Sequence, residues 1–284
     1  MPLRWLGNSA AVMLELGAME YGLIDSIYML ILYFKFSSAG SATLCLFFLG
    51  NAAMPIVEAR NITKTYTIGD REVHVLDDVS LSVTAGEFLV VAGSSGSGKT
   101  TLLSLLSGLD KPTSGRVLVE DIDITDTSED DLAPLRNETI GFIFQSFHLV
   151  PSLTALENVM FPAELKHDPR APAKAADLLK RIGMHKRSAN FPHQLSGGEM
   201  QRVAMCRAVI NQPKIIFADE PTGNLDSENG QAVLDLLLEF QRERRTTLIL
   251  ITHSLDIAEM ADRVIVLKDG RITNSAKPKL NNIN

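Results

Sequence analysis

Four short, almost wholly apolar runs, "EFLVVAG", "IGFIFQ", "KIIFADE" and "TLILITH", recur between residues 87 and 253. Their length and β-branched content suit strands. A run that is apolar at every position is covered on both faces, which predicts a largely parallel sheet with helices on either side. Upstream, "IVEARNITKTYTI", "REVHVL" and "DDVSLSVTAG" are more polar and predict an antiparallel sheet packed at one side. Between Phe147 and Arg207 the pattern turns mostly helical, punctuated by Pro151, Pro162, Pro169, Pro172 and Pro192.

The composition changes sharply near Met54. Residues 1–53 hold the only tryptophan, Trp5, and the apolar stretches "YGLIDSIYMLILYF" and "SATLCLFFLG". Asp25 interrupts the first, and serines, glycines and Pro55 dilute the uncharged run that contains the second, so neither reads as a membrane-spanning helix. The expectation is upstream sequence included before a true start at Met54, with a membrane-contacting extension as the alternative.

At 284 residues, 45% hydrophobic and 21% charged, the chain fits a globular protein of one or two domains. A net charge of −7 argues against a nucleic-acid partner bound through phosphate neutralisation. Cys45 and Cys206 are the only cysteines, so a disulfide framework is not expected, and Cys206 is predicted to be a small buried residue on a helix. The acidic run "EDIDITDTSEDD" matches no calcium-loop spacing and is expected to be a solvated surface loop.

The most specific motif is "GSSGSGKT", which spans Gly93, Ser94, Ser95, Gly96, Ser97, Gly98, Lys99 and Thr100, with Thr101 directly after it. A strand-like run leads in and a helical pattern leads out, which is the context of a phosphate-binding loop. Glycines let successive N–H groups point inward, and the helix N-terminus adds positive potential. Lys99 is assigned to the β and γ phosphates and Thr100 to Mg²⁺. "KIIFADE" ends a buried strand in Asp219 and Glu220, acids that are costly at such a place without a partner. Asp219 suits the Mg²⁺ shell, and Glu220 suits a general base for the attacking water. His253, after "TLILIT", could reach the γ phosphate from a neighbouring strand.

A second glycine pair stands in "LSGGEMQR". Ser196 and Glu199 fit a capping box, which accounts for the local turn but not for Gly197 and Gly198. Glycines there leave bare amides at a helix start, a second anion site. One chain can hardly wrap both sites around one nucleotide, so a second subunit is implied.

Taken together, "GSSGSGKT", "FIFQS", "LSGGEMQR", "IIFADEPTGNLD" and "ITHS" resemble the ATP-binding cassette (ABC) ATPases over Pro55 to about Ile272. The resemblance implies an α/β P-loop NTPase with a RecA-like core, an antiparallel β subdomain and a helical signature subdomain over about residues 147–207. It also implies that Tyr66 stacks on adenine and that Gln145 contacts Mg²⁺ and senses a membrane partner. By the same resemblance Ser196, Gly197 and Gly198 bind the opposite subunit's ATP in a head-to-tail homodimer, Asp226 joins the two sites, and His253 holds the γ phosphate. Glu220, His253 and Gln145 form the implied catalytic set, and ATP and Mg²⁺ the implied cofactors.

"SGLDKPTSG", "LVPSLTALENV" and "ADEPTGNLD" look like the branch that serves lipoprotein release and macrolide-type export. That likeness implies a peripheral position on the cytoplasmic face of the inner membrane and an integral permease as a separate subunit. The segment "SFHLVPSLTALENV" is expected to dock the permease, a reading that exposed Phe147, His148 and Leu149 would favour over a plain helix-connecting loop. A soluble, non-transport ABC ATPase is the alternative, and a small-molecule kinase would leave "LSGGE" unexplained.

Overall fold

The computed structural model describes residues 54–276 and four strand segments upstream of them: β1 (Trp5–Leu6), β2 (Ser9–Glu15), β3 (Met29–Phe36) and β4 (Ala42–Phe48). These four pair in chain order as an antiparallel sheet. The apolar stretches of this region therefore contribute β3 and β4, and among the described residues no helix is long and apolar enough to cross a membrane. The other residues on which the expectation of a start at Met54 rests lie outside the described ones, as does the Cys45 side chain. The chain divides into two compact units after Met54.

The second unit runs through β5 (Pro55–Ile68), β6 (Arg71–Thr84), β7 (Phe88–Ala92), α1 (Lys99–Leu106), β8 (Ser114–Val119), β9 (Ile122–Asp123), α2 (Glu129–Thr139) and β10 (Ile140–Ile143). It continues through α3 (Ala155–Leu165), α4 (Ala171–Arg181), α5 (Gly197–Val209), β11 (Ile215–Asp219), α6 (Ser227–Arg244), β12 (Thr247–Ile251), α7 (Leu255–Glu259), β13 (Arg263–Lys268) and β14 (Arg271–Ala276). The central sheet has six strands in the order β10-β11-β12-β7-β13-β14; the first five are parallel and β14 is antiparallel to β13. All four apolar runs fall in its parallel part.

Alternate residues of each central strand enter different cores. Leu89 and Val91 of β7 join Phe217, Ile249 and Ile251 in a core shared with α1, while Phe88 and Val90 join Ile216, Leu248 and Leu250 in one shared with α6. Each such side chain contributes about 1.5–3 kcal/mol by leaving water, so both faces must stay covered. A third cluster, built on Val159, Ala175, Leu179 and Val203, holds α3, α4 and α5 together.

The antiparallel sheet has the order β6-β5-β8-β9. "REVHVL" and "DDVSLSV" are not two strands but parts of one, β6. The polar pair Asp77–Asp78 that opens the second run is absorbed by irregularities in the β5–β6 ladder, where Asn61 and Asp78 take φ of 49° and 52° and the Asn61 amide donates to Asp78 Oδ1 at 2.8 Å. The acidic run is likewise only partly a loop. It is largely exposed, but it contains β9 and the first turn of α2, where Ser128 caps and Glu129, Asp130 and Asp131 meet the positive helix end. Pro162 lies inside α3, and its carbonyl accepts from the side chains of Asn137 and Asn211, both at 3.1 Å.

Candidate active site

The register of the parallel strands brings their carboxyl ends to one edge, where open α/β sheets bind ligands. Gly93 follows β7, Gln145 follows β10, Asp219 ends β11 and His253 follows β12. A cleft of about 650 Å³ opens there, lined among the described residues by Gly93, Ser94, Ser95, Gly96, Gly98, Lys99, Thr100, Thr101, Gln145, Asp219, Glu220 and His253, together with Val75.

The glycines of the loop are required by geometry. Gly93 has φ 149°, and a Cβ there would lie 2.2 Å from the Leu267 carbonyl oxygen. Gly98, the residue before α1, has φ 99°, and its Cβ would lie 2.8 Å from the Val75 oxygen. Any side chain would break the fit of the loop against β13 or β6. Lys99 is buried and donates to the carbonyls of Gly93 and Ser94 at 2.9 and 2.8 Å, so the loop itself holds the ammonium. Ser97 does not line the cleft. It is buried, and its hydroxyl has no hydrogen-bond partner.

The two acids differ in setting. Burial above all holds the Asp219 carboxyl above its ordinary range; the Thr100 hydroxyl and Lys99 oppose the shift, and the Glu220 charge adds to it. Glu220 sits at φ 43°, a strained value for a non-glycine residue, fixed by its N–H donating to Ile251 and its carbonyl accepting from Gly223, each at 3.0 Å. His253 Nδ1 lies 3.6 Å from Glu220 Oε1. Gly223 lacks a Cβ that would otherwise stand 3.0 Å from the Gln145 amide nitrogen and 3.2 Å from Glu220 Oε2. Gln145 and Glu220 are thus packed around a glycine.

Tyr66 stands outside the cleft lining. Its hydroxyl donates to Asp110 Oδ2 at 2.7 Å, and the Lys64 ammonium lies 4.7 Å from its ring centre. Burial and the Asp110 bond raise its phenol pKa. Ser196, Gly197 and Gly198 are also not in the cleft. Ser196 caps α5 in a capping box with Glu199, Gly198 abuts Asn229, and Asp226 caps α6 by accepting from the Asn229 N–H at 3.0 Å.

Residues 76–223 match the family described as ABC transporter. The chain belongs to that family. It is 45% identical over 217 residues to the lipoprotein-releasing system ATP-binding protein LolD of Idiomarina loihiensis, covering 76% of this chain and 95% of LolD. It is 44% identical over 223 residues to the macrolide export ATP-binding/permease protein MacB of Syntrophobacter fumaroxidans, covering 77% of this chain and 31% of MacB. The ABC cassette MJ0796 of Methanocaldococcus jannaschii, solved as a dimer in a post-hydrolysis state bound to ADP and Pi, superposes with a TM-score of 0.74 at 40% identity, over 78% of this chain and 99% of that one. The α/β P-loop fold and the ATP-hydrolysing role expected of the sequence are therefore those of its family.

Sequence reasoning missed several residues of this ABC ATPase. Asn224 brackets Gln145, accepting from its amide at 3.4 Å and donating to its carbonyl at 2.9 Å. Its place in "GNLD" was the available signal. Arg207 gave no signal, because only the packing of α5 shows what it faces. Of the three residues whose exposure would favour docking, only His148 is exposed; Phe147 and Leu149 are half-buried, Leu149 against the helical core. Cys206 is buried on α5, and burial pushes its thiol up to about 12.

Proposed function

We propose that this ATPase acts as a head-to-tail homodimer that drives a separate membrane permease from the cytoplasmic face of the membrane. The division of the site carries the reading: the cleft gathers the phosphate loop, Asp219, Glu220 and His253, while Ser196, Gly197 and Gly198 stand outside it at the start of α5. A second copy can lay its α5 amides over the γ phosphate held in the cleft, and the reverse arrangement completes the other site.

The donor set suits Mg²⁺. The Thr100 hydroxyl, the Asp219 carboxylate and the Gln145 amide oxygen are hard oxygen ligands around one cleft, and burial leaves Asp219 in need of a positive partner. Bound there, the ion supplies charge neutralisation to the phosphates. Lys99 exchanges its two loop carbonyls for phosphate oxygens. Glu220 accepts a proton from the water whose oxygen attacks the γ phosphorus, the bond to the β-phosphate oxygen breaks, and ADP and phosphate leave. His253 orients Glu220 and reaches the γ phosphate, and Tyr66 stacks on adenine. Similarity to LolD and MacB supports a task in lipoprotein release or in macrolide-type export, with the cargo chosen by the permease and the segment after Gln145 docking it.

The test is Glu220→Gln. Hydrolysis should fall by about 10²-fold or more with ATP binding retained, because the amide keeps the shape and loses the base. Unchanged turnover removes Glu220 from the mechanism.

A further inference from the structure

The turn that follows Gln145 takes an unfavourable shape, closed by the Phe147 N–H donating to Phe144 and the His148 N–H donating to Ser146, and braced from α5 by one cation. Phe147 and His148 are successive non-glycine residues with φ of 61° and 47°, each in the left-handed region that a Cβ disfavours. The Arg207 guanidinium of α5 donates to both of their carbonyls, to Phe147 at 2.9 Å and to His148. Burial pushes the Arg207 pKa down, and its partners are carbonyls rather than a carboxylate. A planar fork reaches two adjacent oxygens in a way that a point charge does not.

The same turn touches the signature. The Phe147 ring lies 3.8 Å from where a Cβ of Gly197 would stand. The His148 ring stacks on Phe144 at 4.7 Å, which stacks on Phe142 at 5.5 Å along the line of β10. Farther on, the buried Asn158 of α3 accepts from the Val150 N–H and donates to the carbonyls of Val150, Leu153 and Thr154. Between β10 and α3, then, the chain is tied to α5 by Arg207 and to α3 by Asn158.

Resting on the function proposed above, we propose that Arg207 is a positioning residue that makes the Gln145 turn and the Ser196–Gly198 helix start move as one body. Gln145 faces the nucleotide of its own chain, and the α5 start faces that of the opposite subunit. Arg207 therefore couples the two ends of each chain that contact nucleotide. Without it the left-handed turn relaxes, Phe147 leaves Gly197, and the two contacts are made independently.

The experiment compares the full chain with Arg207→Met and Arg207→Lys in two ways. Hydrogen exchange on amides 146–150 should quicken in Arg207→Met, while the α5 amides stay as they were. The kcat for ATP should fall about tenfold with KM within about twofold, since binding in the cleft is intact and productive closure is not. Arg207→Lys, which keeps a donor, should recover part of both effects, and it carries the same test if the Met variant does not fold. Unchanged exchange in the turn overturns the clamp, and quickened exchange with unchanged kcat overturns the coupling. A wild-type chain with no ATP hydrolysis would instead sink the proposed function, and the exchange measurement would still judge the clamp.

Discussion

Asp110 shows how much one carboxylate outside the cleft can organise. It accepts from the Lys64 ammonium at 2.8 Å, from the Tyr66 hydroxyl at 2.7 Å and from the Lys111 N–H at 2.7 Å. Burial works to raise its pKa, and these bonds outweigh burial and hold it below the ordinary carboxylate range. A depressed folded-state pKa contributes stability that is present above the unfolded value and lost as pH falls through the folded one. After allowance for partial exposure the contribution is about 1 kcal/mol. Asp110→Asn should therefore lower the melting temperature at pH 7 by roughly 2–4 °C, and the deficit should close on acidification below the usual carboxylate pKa. A deficit that persists unchanged well below that pH, where both forms of the site are neutral, would mean that packing, not charge, holds Tyr66. At the same scale Glu220 carries backbone strain of about 1–3 kcal/mol, held by its two backbone hydrogen bonds.

Element ends matter more than element interiors in this chain. α1 and α5 both begin at glycine-rich turns, for different physical reasons. At α1, Gly98 is demanded by a positive φ and a backbone oxygen of Val75. At α5, Gly198 is demanded by a side chain: a Cβ would stand 2.9 Å from Asn229 Oδ1, and Asn229 Nδ2 donates to Asp226 Oδ2 at 2.7 Å. Gly198→Ala should fold, because Asn229 can turn aside and alanine suits a helix. It should nonetheless lower ATPase by about 10- to 100-fold by displacing Asp226 and the α5 start, read as turnover at saturating ATP beside an unchanged melting temperature. Normal turnover would separate Gly198 from the site. The helix starts were legible in the sequence because caps and glycines are local signals, as Ser196 with Glu199 shows. The long β6 was not, since the bulges opposite Asn61 and Asp78 depend on the partner strand.

At the scale of the whole molecule, the separation of "LSGGE" from the cleft predicts complementation. A chain carrying Lys99→Ala lacks a working phosphate loop, and one carrying Gly197→Asp lacks a working signature. In a head-to-tail dimer of the two, one site inherits both defects and the other inherits neither. Mixing inactive variants should therefore restore about a quarter of wild-type ATPase, half of the dimers being mixed with one sound site each. No recovery on mixing would mean that each chain completes its own site.

By itself the sequence determined the buried parallel strands, the phosphate loop, the paired acids and the helix caps, because period, glycine placement and capping are written within a few residues of one another. It also carried the family, through motifs whose order and spacing few folds share. Tertiary structure alone decided which of these residues meet. Parallel register brings Gly93, Gln145, Asp219 and His253 to one edge from positions far apart in the chain. Burial sets Asp219 apart from Glu220, and the packing of α5 on the turn after Gln145 gives Arg207 its place. Such contacts depend on distance in space, which local sequence does not encode.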